Sequence, residues 1–259
     1  MPEPTPSWSY ATPEPLAARI ALHARYGTAR EPWHRWVFDR LDLRPGAAVL
    51  EVGCGPGTLW ARNADRLPRD VRLTLTDASP GMVEAAHRTL GEAGIEGTVT
   101  VADAARLPFA DATFDVVLAA HMLYHVEDRP KAIAETRRVL RPGGRLVATT
   151  NGRTHLRELE ALACEHLAGW VPHVPTATFG LENGEAQLRA SFREVSLSRH
   201  EGGLVVPDVE PLLAYLRSLP GLDALPPADV GRLLAALATY LAAHGPLRIT
   251  TDSGAFLAG

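Results

Sequence analysis

The chain has 259 residues, of which 46% are hydrophobic and 22% are charged, a composition typical of a globular protein. Its formal net charge of −4 argues against a general nucleic-acid-binding protein, because such proteins usually carry a basic face. No apolar run reaches the roughly 18 residues that a membrane-spanning helix needs, and residues 1–15 lack a basic-then-apolar signal pattern. The two cysteines, Cys54 and Cys164, do not make a disulfide framework, so we expect a cytoplasmic protein with free thiols.

The predicted elements begin with a helical stretch at 16–42, which ends at an Arg-Pro-Gly turn. Strand-like and helical patterns then alternate, which predicts a parallel, doubly wound α/β sheet. The first five predicted strands are 47–52, 71–76, 98–101, 114–119 and 145–150. The first helix between them is predicted at 58–67, and a turn is predicted at 141–144. Ser79 and Asp128 are placed to be N-caps of the helices that follow the second and fourth strands.

The rhythm changes after residue 150. Helices are predicted at 153–170, 182–192, 208–219 and 227–244, with a Pro-rich loop at 171–181 and strand-like runs at 195–206 and 247–257. If the strand at 195–206 runs parallel to the first five, the segments 151–181 and 207–245 both start at the carboxyl edge of the sheet. We therefore predict that these two segments form lids, which shut water out of an enzyme site.

A glycine-rich turn between the first strand and its helix is the strongest functional signal. The stretch at 49–58 reads VLEVGCGPGT, with glycines on alternate positions, Gly53, Gly55 and Gly57. Glycine lets the backbone take positive φ and approach a small ligand at the carboxyl end of a strand. A dinucleotide fingerprint needs a glycine where Thr58 stands, and a phosphate-binding loop needs a lysine, but Lys131 is the only lysine in the chain. The acid before the turn, Glu51, instead suits a ligand with a cationic amine and no phosphate, such as S-adenosylmethionine (SAM).

Motifs in chain order resemble those of class I SAM-dependent methyltransferases, in the branch similar to the ubiquinone- and menaquinone-biosynthesis enzymes. They are VLEVGCGPGTLW (49–60), DASPGM (77–82), VADAARLPF (101–109), FDVVLAAHMLYHV (114–126) and LRPGGRLV (140–147). The resemblance covers roughly residues 45–150. It implies a Rossmann-like, mostly parallel seven-stranded sheet with helical lid insertions. We expect an N-terminal helical cover at 1–42 and a SAM-binding domain at 43–259 that includes both lids.

The resemblance also implies how the first two motifs bind SAM. The three glycines wrap the methionine part of SAM, and Glu51 supplies negative charge beside them. Asp77 accepts hydrogen bonds from both ribose hydroxyls, a charge-assisted arrangement. Met82 packs on the adenine face with Ala78 beside it, although a helical methionine is also a common core residue.

Three further SAM contacts come from the later motifs and the N-terminal helix. Asp103 accepts a hydrogen bond from the adenine amino group, and the Ala104 N–H donates to a ring nitrogen. The Ala119 carbonyl, near the end of the fourth strand, meets the SAM amino group. Tyr26 covers SAM from the helix before the first strand, or it packs in the core.

The candidate catalytic residues follow the fourth strand. Methyl transfer from a sulfonium is an in-line displacement with a neutral leaving group, so alignment and desolvation supply most of the rate. A hydroxyl or ammonium acceptor also needs a base to take its proton. His121, Tyr124 and His125 are the candidates, and a neutral histidine is a suitable base near pH 7. His125 precedes an apolar valine and is also consistent with a hydrogen-bonded structural histidine. The sequence has no HExxH or paired CxxC signature, so we expect no metal site.

The favoured function is methyl transfer to an O, N or C atom of a small molecule. A nucleic-acid methyltransferase is disfavoured by the acidic net charge, and because AAHM (119–122) stands where amino-methylating DNA enzymes carry Asn/Asp-Pro-Pro-aromatic. A third hypothesis is a SAM-binding protein without methyl transfer, either a cyclase or a ligand-binding module, because cofactor motifs report binding and not turnover. Lid side chains available to an acceptor of modest size are Trp170, Phe179, Tyr215, His155, His166 and His173. The sequence predicts no oligomeric state.

Overall fold

The computed structural model describes residues 14–167, 175–219 and 226–259. The predictions for Trp170 and His173 therefore lie outside the described residues. The strands are β1 (Ala48–Val52), β2 (Arg72–Asp77), β3 (Thr98–Val101), β4 (Phe114–Ala120), β5 (Leu140–Asn151), β6 (Val195–His200), β7 (Gly203–Val206), β8 (Leu247–Thr250) and β9 (Ser253–Ala258). The α-helices are α1 (Glu14–Tyr26), α2 (Trp33–Leu41), α3 (Thr58–Ala61), α4 (Pro80–Glu92), α5 (Arg129–Val139), α6 (Arg157–His166), α7 (Gly184–Leu188), α8 (Val209–Arg217) and α9 (Pro227–His244).

The central sheet has seven strands in the order β3-β2-β1-β4-β5-β9-β6. Strands β1 to β5 run parallel, and β9 lies antiparallel between β5 and β6. Strand β6 therefore runs parallel to the first five, and the predicted mostly parallel sheet is confirmed. The strand order reverses between β1 and β4, and sheets of this kind usually bind ligands at the carboxyl ends of such a pair.

Both faces of the sheet are covered, as a parallel sheet requires. All of β1 is buried, which explains its continuous apolar pattern. Leu50 and Val52 belong to one apolar cluster, whereas Val49 belongs to a second cluster that includes Trp36 and Trp60. The alternation of side chains along β1 thus supplies both cores.

Two predicted helix caps are confirmed by hydrogen bonds. The Ser79 hydroxyl accepts from the Met82 N–H at 3.3 Å, at the start of α4. The Asp128 carboxylate accepts from the Lys131 N–H at 3.2 Å, at the start of α5. Both helices also carry a proline in their first turn, where a missing N–H breaks no hydrogen bond. Local sequence is therefore sufficient to place the starts of these helices.

The predicted helix at 16–42 is wrong in one respect, because the structure has two helices there. Helix α1 ends at Tyr26 and α2 begins at Trp33. Pro32 stands at the N-cap of α2 with extended backbone, φ −60° and ψ 140°. A proline disfavours helical geometry in the residue before it, so the helix cannot continue through Glu31.

Two predicted strands are also wrong, because each is broken into two. The run at 195–206 divides into β6 and β7, and the run at 247–257 divides into β8 and β9. The first break contains Gly202, whose φ is 154°. Strands β6 and β9 pair in the central sheet, whereas β7 and β8 pair with each other in a separate two-stranded sheet. The breaks between β6 and β7 and between β8 and β9 are therefore determined by which strands pair with each other. A local sequence pattern does not encode that choice.

Other predicted bounds need smaller corrections. The helix at 58–67 is α3 followed by a 3-10 turn at Ala64–Arg66. The Asn63 amide donates to the carbonyls of Leu59 at 2.7 Å and His34 at 3.1 Å, so it competes with the helical bonds there. The predicted turn at 141–144 lies inside β5 as an irregularity in its pairing with β4. The helix predicted at 153–170 is α6 within the described residues, and its last part, 168–170, lies outside them. The helix predicted at 182–192 is shorter than predicted, as α7.

Residue contacts divide the chain into two compact units. The first unit comprises Met1–Arg30, Thr154–Val174 and Glu201–Asp252, and the second comprises Glu31–Arg153, Pro175–His200 and Ser253–Gly259. The central sheet lies in the second unit. The first unit has its own apolar core, which includes Leu22, Leu159 and Leu212. The predicted cover at 1–42 and lids at 151–181 and 207–245 follow other boundaries and stay predictions.

Candidate functional site

The glycine loop follows β1 at the carboxyl edge of the sheet. Gly53, Gly55 and Gly57 have φ values of 66°, 54° and 73°, in the region that glycine adopts without steric cost. A Cβ at Gly53 would lie 2.7 Å from the Cβ of Met122, which follows β4. The loop after β1 and the segment after β4 are therefore packed directly against each other, with no room for a side chain between them.

Asp77, the last residue of β2, joins this loop to the next helix. Its Oδ2 accepts a hydrogen bond from the Gly55 N–H at 2.9 Å, and its Oδ1 accepts from the Ser79 N–H at 2.9 Å. A carboxylate has about four acceptor positions, so two remain for a ligand. The predicted role of Asp77 toward ribose hydroxyls stays a prediction, and this geometry is compatible with it.

Glu51 is a buried acid whose state differs from the one expected from sequence. It is 2% exposed, and the Trp60 Nε1–H donates to its Oε2 at 2.6 Å. Burial raises the pKa of Glu51 to about 8, although the bond from Trp60 lowers it and the nearby Asp77 raises it further. The carboxyl is therefore mostly protonated at pH 7, and the negative charge predicted for Glu51 is largely absent. Trp60 was not singled out from the sequence, although it closes the first motif.

The third motif lies beside the second. The Ala102 N–H donates to the Asp77 carbonyl at 3.0 Å, which places Asp103 near the end of β2. Asp103 is exposed, and its Oδ1 accepts from the Ala105 N–H at 2.8 Å. Ala104 is buried, and Met82 is only 1% exposed.

The predicted roles of Ala78, Met82, Asp103 and Ala104 toward adenine stay predictions. Ala78 is exposed, as a residue beside a ligand base can be. The burial of Met82 is also what a core methionine shows, so burial alone does not favour the ligand role.

The candidate catalytic residues lie on a short segment after β4. Ala119 is fully buried in β4, where it pairs with Ala148 of β5. His121 follows with φ 52°, a left-handed conformation that costs a side-chain-bearing residue roughly 1 kcal/mol or more. Tyr124 and His125 lie on the 3-10 turn Leu123–His125, with their ring centroids 4.4 Å apart. The structure thus brings the three candidates together, with His121 and Tyr124 partly buried and His125 exposed.

The Trp33 ring, which the sequence did not connect with His121, lies beside the His121 ring and contacts two further rings. The Trp33 ring lies 5.2 Å from the His121 ring and 5.2 Å from the Trp36 ring, and 5.3 Å from the His200 ring. We call Trp33, Trp36, His121 and His200 the aromatic cluster. The only sequence signal for this cluster was the spacing of Trp33 and Trp36, which puts them on one face of α2. His121 follows β4 and His200 ends β6, so both are distant from α2 in the sequence.

The predicted site residues of the first unit have partners within that unit. The Tyr26 hydroxyl donates to Asp208 at 3.1 Å. The His155 ring stacks on the His23 ring at 5.5 Å. Tyr215 is buried in the core of this unit. The predicted roles of Tyr26 toward SAM and of the lid residues toward an acceptor stay predictions. Phe179, in contrast, lies in the second unit and is fully buried against Phe256, so it is a core residue there.

Residues 14–167, 175–219 and 226–259 contain neither a candidate metal site nor a candidate membrane-spanning helix. No group of three or more His, Cys, Asp or Glu side chains in these ranges is placed to share a metal ion. Among the helices in the same ranges, none combines the length and apolarity needed to cross a membrane.

Comparisons with known proteins show that the sequence of this chain is similar to those of methyltransferases. A family model described as a methyltransferase domain matches residues 50–148. The chain is 34% identical over 221 residues to the O-methyltransferase resE of Aspergillus sclerotiorum, which covers 83% of this chain and 77% of that protein. It is 38% identical over 117 residues to the ubiquinone/menaquinone biosynthesis C-methyltransferase UbiE of Idiomarina loihiensis, over 44% of this chain and 47% of that protein.

The similarity to the first curated relatives covers only part of their length, and the similarity to solved structures extends over most of the chain. The chain spans between 32% and 47% of the length of the first six curated relatives that it matches. Among solved structures, the [4+2]-cyclase SpnF superposes with a TM-score of 0.59 at 22% identity, over 96% of this chain and 93% of that chain. At this identity the similarity concerns the fold alone.

We predict that Asp77→Ala weakens SAM binding by about 1–3 kcal/mol, because the variant loses a charge-assisted acceptor and the bond that holds Gly55. Isothermal titration calorimetry with SAM measures this change. Asp77→Asn, which keeps the size and one acceptor oxygen, should give a smaller loss. An Asp77→Ala protein that is folded and binds SAM with the parent's affinity would contradict the assignment.

We predict that Glu51 makes the folded protein less stable as pH rises. Its pKa is raised to about 8, so the folded state keeps a proton that the unfolded chain releases above about pH 4.5. The free energy of unfolding therefore falls as pH rises through this window and levels off above about pH 8. Glu51→Gln, which still accepts from Trp60, should gain stability relative to the parent between pH 5 and about pH 8.

Urea unfolding at several pH values measures this difference. The exposed Glu92, at the end of α4, supplies the control substitution Glu92→Gln. An equal pH dependence in Glu51→Gln and the parent would show that Glu51 is ionised in the folded protein.

Proposed function

We propose that this chain, which belongs to the class I SAM-dependent methyltransferase family, transfers the methyl group of SAM to an O, N or C atom of a small-molecule acceptor. Membership of this family implies SAM as the cofactor. The observation that carries the proposal is the direct packing of the glycine loop after β1 on the segment after β4, where Gly53 meets Met122. The residues proposed to hold the cofactor and those proposed to act on the acceptor therefore share one edge of the sheet.

The residues at this edge fit the chemistry of SAM. The backbone of the glycine loop takes positive φ at Gly53, Gly55 and Gly57 and carries no Cβ there, which suits close contact with an amino-acid chain. Asp77 keeps acceptor positions for hydroxyl groups, and the buried Glu51 favours a cation, since a nearby positive charge stabilises its ionised form. When bound, SAM supplies a methyl group made electrophilic by a positively charged sulfur.

We propose that the cofactor site consists of the predicted residues of the second unit. The set is Glu51, Gly53, Gly55, Gly57, Asp77, Ala78, Met82, Asp103, Ala104 and Ala119. In this proposal the loop and Asp77 fix the methionine and ribose parts, and the third motif recognises the base. Fixing several parts of one ligand aligns the reacting atoms, which is the largest contribution that a protein makes to such a displacement.

His121 is the proposed general base. An unprotonated ring nitrogen of His121 takes the proton from a hydroxyl acceptor as the methyl group is transferred. For an ammonium acceptor it takes the proton before the transfer, so that the nitrogen has a lone pair with which to attack. His121 directly follows β4 and is partly buried, whereas His125 is exposed on the next turn. Tyr124 lies between them, and its ring centroid is 6.3 Å from that of His121. We assign Tyr124 and His125 to the wall of the acceptor site.

A small-molecule acceptor is supported by the relatives, which are named as a C-methyltransferase and an O-methyltransferase. The net charge of −4 gives no support to a nucleic-acid substrate. We propose that the protein acts in the cytoplasm, since both cysteines are free thiols in the structure.

Release of S-adenosylhomocysteine tests the function. The protein is incubated with SAM and three acceptor classes, which are phenols, hydroquinones and primary amines. Product with at least one class supports methyl transfer. Tight SAM binding with no product from any class favours a SAM-binding protein without methyl transfer. Salt-dependent RNA binding would favour a nucleic-acid substrate.

We predict that His121→Ala lowers kcat by roughly 10²–10⁴-fold, the usual contribution of a general base, with little change in SAM affinity. His121→Gln should be equally slow, because the amide cannot take the proton. His87→Ala, at an exposed histidine of α4 outside the proposed site, is the matched control and should retain the parent's activity. Steady-state kinetics and calorimetry separate the two quantities, and a His121→Ala enzyme with the parent's kcat would remove His121 as the base.

A further inference from the structure

We propose that Thr149 and Trp33 are positioning residues that hold the His121 imidazole in one orientation at the carboxyl end of β4. The proposal rests on the proposed function, in which His121 is the base. Thr149 acts on the backbone of His121, and Trp33 acts on its ring. Both residues lie in the same unit as His121.

The backbone of His121 has a conformation that its surroundings must hold. Its φ is 52°, one of five positive values at non-glycine residues within the described ranges. A residue in this conformation leaves the side-chain alternation of the strand before it, so the backbone alone decides where its Cβ points. Any relaxation toward extended geometry would swing the imidazole to a different place.

Thr149 of β5 supplies the anchor for this conformation. The His121 N–H donates to both the carbonyl and the hydroxyl of Thr149, each at 3.1 Å. Thr149 is fully buried and pairs in register with Ala120, the residue before His121. The hydroxyl adds a second acceptor just where the β4–β5 ladder ends. Strand pairing alone would explain the carbonyl bond, but it does not require a hydroxyl at this position.

Trp33 of α2 limits the rotation of the ring. Its ring lies 5.2 Å from the His121 ring, with 48° between the planes. Trp33 is itself braced, because its ring stacks on Trp36 with 19° between the planes. The Arg40 guanidinium lies over the Trp36 ring, 3.4 Å from its centroid, and Arg40 also donates to the Trp36 carbonyl at 2.7 Å. The Trp33 ring is therefore held in place by Trp36, and it restricts rotation of the His121 imidazole.

His200, the last residue of β6, fixes the start of α2 from the other side. Its Nε2 lies 2.8 Å from the Glu31 carbonyl, and a carbonyl only accepts, so this nitrogen carries a proton. Its ring meets the Trp33 and Trp36 rings edge-on, at 5.3 Å and 5.2 Å. The aromatic cluster thus connects β6, α2 and the end of β4.

These contacts reduce the number of orientations that the imidazole samples before reaction. A base held near the productive orientation gives a faster proton transfer than one that must be ordered in each turnover. Neither Thr149 nor Trp33 needs to touch the acceptor for this effect. Substitution of either residue should therefore change kcat and the ionisation of His121 while leaving SAM affinity unchanged.

A matched pair of substitutions at Thr149 tests the anchor. Thr149→Val keeps the shape and the methyl group but loses the hydroxyl, whereas Thr149→Ser keeps the hydroxyl and loses the methyl group. We expect Thr149→Val to lower kcat by roughly tenfold with SAM affinity unchanged, and Thr149→Ser to retain most of the parent's kcat. Equal losses in the two variants would assign the effect to packing and overturn the role of the hydroxyl.

A second pair of substitutions tests the contact between the Trp33 and His121 rings. NMR measures the effect without requiring turnover. Trp33→Phe keeps an aromatic face and Trp33→Leu removes it. The imidazole resonance of His121, assigned by its loss in His121→Gln, is followed through a pH titration with S-adenosylhomocysteine bound. We expect a shifted or broadened resonance and an altered titration midpoint in Thr149→Val and Trp33→Leu, and values near the parent's in Thr149→Ser and Trp33→Phe.

The outcomes separate the two proposals. An identical His121 titration in the parent, Thr149→Val and Trp33→Leu overturns the positioning role, whether or not the enzyme turns over. A changed titration together with no S-adenosylhomocysteine from any acceptor supports positioning and rejects the proposed function. Thermal unfolding checks that each variant is folded, and if Thr149→Val does not fold, the Trp33 pair decides the question.

Discussion

The carboxylate of Asp77 is the interaction on which the candidate site depends. One side chain at the end of β2 accepts hydrogen bonds from Gly55 in the loop after β1 and from Ser79 at the start of α4. These segments come from different parts of the chain, and each has backbone N–H groups that no helix or strand satisfies. A single ionised acceptor therefore fixes the relative position of the loop, the strand end and the helix. The parallel arrangement of β1 and β2 places the three at the same edge.

Two acids at this edge, Asp77 and Glu51, differ in their burial and in their hydrogen-bond donors. Asp77 has backbone N–H donors, whereas Glu51 has the Trp60 indole as its donor and almost no access to water. Burial keeps Glu51 mostly protonated near pH 7, so it holds a proton until a positive charge approaches. An acid in this state costs the folded protein less than a buried carboxylate without a cation. In the proposed site this acid favours a cationic ligand over a neutral one of the same shape.

The sequence was sufficient for the features that depend on neighbouring residues. It placed strand β3 and helix α9 at their observed bounds, because strong local patterns specify them. It also found the N-cap Ser79, since capping involves residues three apart. It did not find the break between β6 and β7, which depends on partner strands. It missed the contact between Trp33 and His121 for the same reason, because only the folded chain brings α2 to the end of β4.

The place of β9 has a consequence for how the chain folds. This strand comes from residues 253–258, yet it lies between β5 and β6 and pairs with both. Until these residues have left the ribosome, β5 has a bare edge and β6 has no neighbour to join. The chain also passes between the two units several times, so neither unit is a continuous piece of sequence. Completion of the sheet must therefore wait until residues 253–258 have been synthesised, and a folding step dominated by such distant pairings is expected to be slow.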